Sequence, residues 1–377
     1  MTRPVVLAAR RTPIGTAGHA YRDLDAHHLA APVLRVLAEE CAPYGLPVDD
    51  VILGNCMGPG GNLARVSALA AGLGEEVPGA TVDRQCGSGL AAILQAGQAI
   101  RAGEAGLVLA GGVESASTAP ARFRRGSDTP YPRAPFAPEG FPDPDMGPAA
   151  EALAQARGIS RERQDDYARH SHERALATDF TAELVPLHPH PRGNGEPLLS
   201  RDQRPRVLRA ASLARLPGAF VPGGTVTAGN SSPISDGAAA VAMVPETARA
   251  GRPGLALLAG AVVGCDPALP GWGPVPAVRR LLDRTGLGVA DLAAVEIVEA
   301  FAAQVLAVTD ALELDPGRVC TGGGALALGH PWGASGAVAV TRLFSRLVRS
   351  GAAPGTLGLA TAAVGGGMGI AALFEVV

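Results

Sequence analysis

The sequence predicts an α/β fold in which short strands alternate with helices around an apolar core. Apolar runs of strand length are repeatedly followed by longer, Ala-rich runs with helical spacing. The 50 glycines and 32 prolines gather between these runs, where they mark turns. A short echo, CGSG at 86–89 and GASG at 333–336, is predicted to open a helix in each half of the chain. The echo indicates two copies of one α/β unit.

The first part of the chain alternates strands and helices. Strands are predicted at 4–9, 50–55 and 107–110, and helices over 29–40, from Asn62 and over 90–100. A β-type segment from Thr81 leads to Cys86, and the small residues 87–89 then open the third helix. This unit is therefore predicted to be strand, sharp turn, helix and strand, with a thiol at the turn.

The middle of the chain is irregular, whereas its last part again alternates strands and helices. Residues 117–232 are crowded with proline and arginine, apart from helices predicted over 149–157 and from Ser160, a plausible N-cap, to Ala177. We interpret this region as a lid or binding arm. Alternation returns with strands at 255–264 and 294–298, helices at 275–285 and 300–312, and a final hairpin of 356–364 with 370–376.

Composition narrows the classes of function. No lysine occurs among the 32 basic residues, which excludes a lysine Schiff base. The net charge of −3 without a basic stripe predicts no nucleic-acid partner. The five cysteines have no CxxC spacing, no apolar run reaches the length of a membrane span, and no signal peptide is recognised. We therefore expect a soluble cytoplasmic protein without a membrane partner.

Cys86 and His330 are the candidate nucleophile and base. A cysteine at a helix N-terminus faces free N–H groups and the positive end of the helix dipole, which favours the thiolate. His330 is flanked by glycines and precedes a helix, and an imidazole can take the thiol proton. The alternatives are a buried cysteine that fills the core and a surface or structural histidine. No cluster with metal-ligand spacing is present, so no metal site is expected.

Several motifs along the chain resemble those of one enzyme family. They include RTPIG at 11–15, CGSGL at 86–90, GGVES at 111–115, GTVTAGNS at 224–231, EAF at 299–301, GHP at 329–331 and GGG at 365–367. In their order and spacing they resemble the thiolases, the acyl-CoA acetyltransferases and 3-ketoacyl-CoA thiolases, over nearly the full length.

The resemblance implies a thiolase-like five-layer αβαβα fold of two similar halves with an inserted loop domain. The N-terminal half would comprise 1–116 completed by 233–252, the CoA-binding loop domain 117–232, and the C-terminal half 253–377. It also implies a homodimer or homotetramer. Coenzyme A thioesters would be substrates, and no cofactor would be permanently bound.

The resemblance further assigns roles to individual residues. Cys86 would be acylated and His330 would activate it, with backbone N–H groups of Cys86 and the Gly87 region holding the oxyanion. The positions that match CoA-contacting residues of the family are Ser212, Ala228, Ser232 and Phe301.

Two positions depart from the family pattern. Ala363 stands where the family has a second cysteine, the acid/base of the carbon–carbon step, and Val298 replaces the asparagine of an Asn-Glu-Ala-Phe motif that serves the enolate. Both losses fall on the same half-reaction. Cys56 is a possible substitute acid/base, and a structural buried cysteine is its alternative reading.

Two functions therefore follow from the sequence. The first is an acyltransferase that loads Cys86 from an acyl-CoA or carrier-protein thioester and passes the acyl group to CoA or another acceptor. Ordinary Claisen condensation or thiolysis is in doubt. The alternative is a non-catalytic, acyl-CoA-binding homologue that acts as a subunit or scaffold.

Overall fold

One mixed β-sheet runs through the whole molecule. The structure, a computed structural model, describes residues 2–131, 133–188 and 196–377. Their strands are β1 (Pro4–Arg11), β2 (Gly15–Thr16), β3 (Asp50–Gly54), β4 (Gly79–Val82), β5 (Val108–Glu114), β6 (Arg122–Phe123), β7 (Pro130–Tyr131), β8 (Ser235–Pro245), β9 (Leu255–Gly264), β10 (Leu292–Ile297), β11 (Leu357–Val364) and β12 (Met368–Val376). Ten of them join in the order β10-β11-β12-β9-β1-β8-β5-β3-β4, with β2 beside β8, and β6 pairs with β7 alone.

The sheet consists of two halves that meet at β1 and β9. In the first half β4, β3 and β5 are parallel, while β8 runs antiparallel to β5 and to β1. In the second half β10 and β11 are parallel, and β12 runs antiparallel to β11 and β9. The halves are joined through the pairs Val5–Ala256 and Val6–Leu255. The final hairpin, predicted around the glycine triplet, is confirmed as β11 and β12.

The helices form three layers around this sheet. They are α1 (Ala26–Cys41), α2 (Leu63–Ala71), α3 (Ser88–Ala102), α4 (Met146–Ala156), α5 (Arg161–Ala177), α6 (Ala210–Leu213), α7 (Pro274–Thr285), α8 (Ala302–Leu312), α9 (Ala325–Leu328) and α10 (Trp332–Phe344). Helices α1 and α2 cover the outer face of the first half, α7 and α8 that of the second, and α3 and α10 lie between the halves. The predicted five-layer thiolase-like fold is confirmed.

Burial on both faces explains the apolar strands. Along β5, Val108 and Ala110 face the central helices, whereas Leu109 and Val113 face the outer layer with α1 and α2. A strand covered on both sides reads as a continuous apolar run, so its ends are hard to place from sequence. β5 accordingly continues to Glu114, beyond the predicted end at residue 110.

The two central helices touch at their N-termini. A Cβ on Gly89 of α3 would lie 2.8 Å from the carbonyl oxygen of Gly333 and 3.0 Å from the nitrogen of Ala337 in α10. Only glycine permits this approach. Because Cys86 precedes α3 and His330 precedes α10, the packing of the two helices brings both predicted site residues to one region. The repeated motif at 86–89 and 333–336 thus lies at the N-termini of two helices that pack against each other.

The region 117–232 lies over this end of the central helices. It contributes the β6–β7 ribbon and helices α4 to α6, of which α4 packs on α8 and α5 packs on α8 and α9. Ser160 caps α5 as predicted, since its Oγ accepts a hydrogen bond from the Arg163 N–H at 3.3 Å. The boundaries of the three domains, and the assignment of this region as a CoA-binding domain, stay predictions.

Candidate active site

A cavity of about 570 Å³ lies at the starts of α3 and α10, beneath the 117–232 region. The sequence-predicted residues that line it are Cys56, Cys86, Ser232, Phe301, His330 and Ala363. Ser212 and Ala228 are exposed and do not line it. The structure therefore brings the predicted nucleophile, base and substitute acid/base together, together with two of the four predicted CoA positions.

A tight turn presents Cys86. Gln85 has a left-handed φ of 45°, an uncommon conformation for a residue with a side chain. The Ser88 hydroxyl locks the turn, because it donates to the Gln85 carbonyl at 2.6 Å and accepts the Arg84 N–H at 2.8 Å. The Gly87 N–H donates to the Arg84 carbonyl at 2.9 Å. This bond holds the Gly87 amide in the turn, and the oxyanion role of the Cys86 and Gly87-region N–H groups stays a prediction.

The Cys86 thiol is protonated at rest. Burial raises its pKa to about 12, and the Glu114 and Asp83 carboxylates act in the same direction. A hydrogen bond from its own backbone N–H lowers the pKa without offsetting the burial. Burial therefore opposes the thiolate that the helix start is expected to favour, because the anion loses its hydration. Cys86 needs a base that removes its proton as it reacts.

His330 is held as a neutral base. The Ser335 hydroxyl donates to the Pro331 carbonyl at 2.9 Å, so its oxygen accepts from His330 Nδ1 at 2.7 Å. This network assigns the proton to Nδ1 and leaves a lone pair on Nε2. Burial lowers the pKa of His330 to about 4. Nε2 is buried without a partner among the described residues, so no direct hydrogen bond joins it to Cys86.

Cys56 lies against the turn that carries Cys86. Its sulfur is 3.6 Å from Ser88 Oγ, and the thiol is the donor because the serine hydrogen is already used on Gln85. Burial raises the pKa of Cys56 well above its ordinary value, and the nearby Glu114 and Cys86 raise it further. A protonated thiol therefore faces the cavity beside Cys86.

Glu114, at the end of β5, connects the loops around the cavity. Its buried carboxylate accepts the N–H groups of Cys56 at 3.1 Å, Met57 at 3.1 Å and Gly333 at 3.0 Å. Burial raises its pKa to about 7 against these hydrogen bonds. Sequence reasoning gave this residue no role, although a carboxylate directly after an apolar strand was a usable signal. It positions the Cys56 loop and the start of α10 relative to each other.

Comparison with known proteins adds to this geometry. The profile "Thiolase, N-terminal domain" matches residues 4–247, and "Thiolase, C-terminal domain" matches residues 253–376. The chain belongs to the thiolase family. It is a homologue of acyltransferases of the acetyl-CoA C-acetyltransferase type over its full length, and thiolases use CoA thioesters as substrates.

Relatives of this thiolase match along its whole length. A protein of Staphylococcus haemolyticus, provisionally named acetyl-CoA C-acetyltransferase VraB, is 43% identical over 100% of this chain and 99% of its own. The Staphylococcus epidermidis protein of the same name is 40% identical with the same coverage. The crystal structure of the Bacillus anthracis acetyl-CoA acetyltransferase superposes with a TM-score of 0.92 at 36% identity, covering 100% of this chain and 99% of that one.

One part of the cavity wall is built from apolar and hydroxyl groups. The Ser232 hydroxyl donates to the Ala300 carbonyl at 2.9 Å, and Phe301 meets Phe220 edge to face with ring centroids 5.9 Å apart. All four line the cavity. Such a surface suits a pantetheine arm, which needs apolar contact and a few hydrogen-bonding groups.

Ala363 and Val298, the two positions predicted to depart from the family pattern, occupy different places in the structure. Ala363 lines the cavity with its methyl group and lies on β11 opposite Gly369. Val298 is buried behind the cavity, where it borders a void of about 20 Å³ together with Ser335. Neither side chain can donate or accept a hydrogen bond.

One group of metal-ligand types lies away from the cavity. Asp25, His27 and His28, at the start of α1, place their ligand atoms within 4.8 Å of one another, which sequence spacing alone had not predicted. None of the three lines the cavity around Cys86. Among the described residues no helix is long and apolar enough to cross a membrane.

Proposed function

We propose that this thiolase forms an acyl-enzyme on Cys86 from an acyl-CoA or carrier-protein thioester and passes the acyl group to CoA or another acceptor. The observation that carries the proposal is the neutral Nε2 of His330, which has no partner within the described part of the chain and lies in the cavity that Cys86 also lines. A buried nitrogen without a partner costs free energy unless it serves a substrate or a reaction.

In the first half-reaction, His330 Nε2 takes the proton of Cys86 as the sulfur attacks the thioester carbonyl. The carbon–sulfur bond to CoA breaks, and the leaving thiolate takes that proton from Nε2. Ser335 holds the imidazole in the correct tautomer during both transfers.

For the carbon–carbon step we propose that Cys56 replaces the missing second cysteine. The family position is occupied by Ala363, and the thiol of Cys56 faces the same cavity beside the Cys86 turn. In thiolysis, a protonated Cys56 would give its proton to the enolate carbon. Its raised pKa supports this role, because the thiol keeps its proton at neutral pH until the carbanion forms.

We also infer a homodimer or homotetramer. Strand β4 ends the sheet, so one edge of Gly79–Val82 has no strand partner within the described chain. Beside it, α2 exposes Val66 and Leu69 by 40% and 47%. An open edge with apolar neighbours favours pairing with a second copy. We expect mass photometry at nanomolar concentration to give twice or four times the chain mass, and a monomer would contradict the inference.

The five unpaired cysteines support action in a reducing cytoplasm.

The test of the proposed function is intact-mass spectrometry after mixing with acetyl-CoA, together with thiolysis of acetoacetyl-CoA. We expect one acetyl group on Cys86, located by peptide mapping, and turnover with free CoA. An adduct without turnover would retain the acyltransferase and exclude thiolysis, so that another acceptor would be sought. Binding of acetyl-CoA without an adduct would leave the non-catalytic, acyl-CoA-binding scaffold as the remaining function.

The pH dependence of acylation tests the role of His330. Because burial lowers its pKa to about 4, the base form is present above that value and is lost only as the pH falls through it. We expect the rate of adduct formation to keep its value down to about pH 5, where a histidine with an ordinary pKa of about 6.5 would be almost fully charged. Quenched-flow mass spectrometry measures this rate. A loss centred near pH 7 would contradict the lowered pKa of His330, and a Glu114→Gln variant would show whether the dependence belongs to Glu114, whose pKa burial raises to about 7.

A further inference from the structure

Arg122 brings a positive charge to the reactive end of the cavity. It lies on β6, lines the cavity, and its Nη2 donates to the Cys56 carbonyl at 3.1 Å. Cys56 in turn contacts Ser88 in the turn of Cys86. The guanidinium is therefore held beside the residues that we assign to the chemistry.

The charge of Arg122 has no acidic partner among the described residues. No carboxylate lies within ion-pair distance of it, and its other N–H groups have no protein acceptor there. Arg133, which also lines the cavity, differs in that Asp143 and Asp145 each accept from it at 2.9 Å. Asp83 is the one acidic residue among those lining the cavity, and its carboxylate instead accepts the Gln85 N–H at 2.9 Å.

We propose that Arg122 binds a carboxylate at the far end of the acyl group, so that the preferred acyl donors are CoA thioesters of dicarboxylic acids. The inference rests on the proposed function and names its substrate class. A guanidinium pairs with a carboxylate through two parallel hydrogen bonds, which makes arginine the usual receptor for such a group. Met57 and Phe136, which also line the cavity, supply apolar surface for the methylene groups between the two ends.

The position of Arg122 separates this role from binding of the CoA phosphates. The reacting carbonyl must lie at Cys86, and the whole pantetheine arm lies between that carbonyl and the phosphates of CoA. Arg122 is hydrogen-bonded to the Cys56 carbonyl, next to the turn that carries Cys86. Ser232 and Phe301, the residues that we assign to pantetheine binding, lie instead beside Ala300, whose carbonyl accepts the Ser232 hydroxyl. The positive charge of Arg122, which lies beside the thiols, would therefore contact the acyl group and not the CoA phosphates.

The experiment compares succinyl-CoA with 4-methylpentanoyl-CoA, in which an isopropyl group replaces the carboxylate at nearly equal size. Binding is measured by calorimetry on the Cys86→Ala protein, and acylation by intact mass on the wild type. We expect succinyl-CoA to bind about 10- to 100-fold more tightly, the range of a charged hydrogen bond, and to acylate Cys86 faster. Arg122→Met should remove this preference and change the isopropyl thioester by less than about twofold.

Arg124→Met is the matched control, since Arg124 is exposed on the same segment and does not line the cavity. It should keep the full preference. Equal weakening of both thioesters by Arg122→Met, or a wild type that prefers the isopropyl thioester, would overturn the inference. If no thioester acylates Cys86, the proposed function fails, and the binding ratio still decides the role of Arg122.

Discussion

Replacing Cys86 by alanine is expected to abolish acyl transfer, lowering kcat for acetoacetyl-CoA thiolysis by a factor of about 10⁴ or more. The alanine has no nucleophile, and His330 Nε2 then has no thiol proton to take. The loss is measured by the disappearance of acetoacetyl-CoA, with the intact mass recorded in parallel. Binding of acyl-CoA should remain, because the cavity surface is otherwise unchanged.

Cys265→Ala is the matched control for this prediction. Cys265 is a half-buried thiol that does not line the cavity, and burial raises its pKa to about 11. It should keep the wild-type rate within about twofold, as a substitution remote from the reacting atoms. If Cys86→Ala kept its activity while remaining folded, Cys86 would not be the nucleophile, and the acyl-enzyme mechanism would have to be abandoned.

Cys56→Ala is expected to separate the two half-reactions. Thiolysis should fall by about 10²–10⁴-fold, the contribution typical of a positioned acid or base. Formation of the acetyl adduct should keep its rate within a few-fold, because Cys86 and His330 are untouched. Single-turnover mass spectrometry follows the adduct, and a steady-state assay follows thiolysis. Cys56→Ser keeps the size and the contact with Ser88 but is a far weaker acid, so it should behave like the alanine variant.

A thiol returned to position 363 provides the reciprocal test. Ala363 lines the same cavity, so Ala363→Cys in the Cys56→Ala background should recover part of the thiolysis rate. Full thiolysis in Cys56→Ala would show that another group supplies the proton. An equal fall of adduct formation and thiolysis would assign Cys56 to the packing of the Cys86 turn instead.

The sequence by itself determined the architecture, and it predicted two residues that line the candidate site. Strand-length apolar runs alternate with helical runs because strands covered on both faces need apolar side chains throughout, and this predicted the α/β layers. The small residues after Cys86 and around His330 predicted tight helix starts, which packing then placed side by side. These are local patterns, and a single segment of the chain contains each of them.

Only the tertiary structure decided how these groups are charged and what surrounds them. The protonated state of Cys86 and the neutral state of His330 follow from burial, which depends on segments far away in the sequence. The tautomer of His330 depends on Ser335, and the place of Cys56 depends on its contacts with Ser88 and Glu114. No periodic pattern in the sequence predicts that Arg122 lies beside Cys56. Desolvation and long-range contacts set the chemistry, and neither is written in the spacing of residues along the chain.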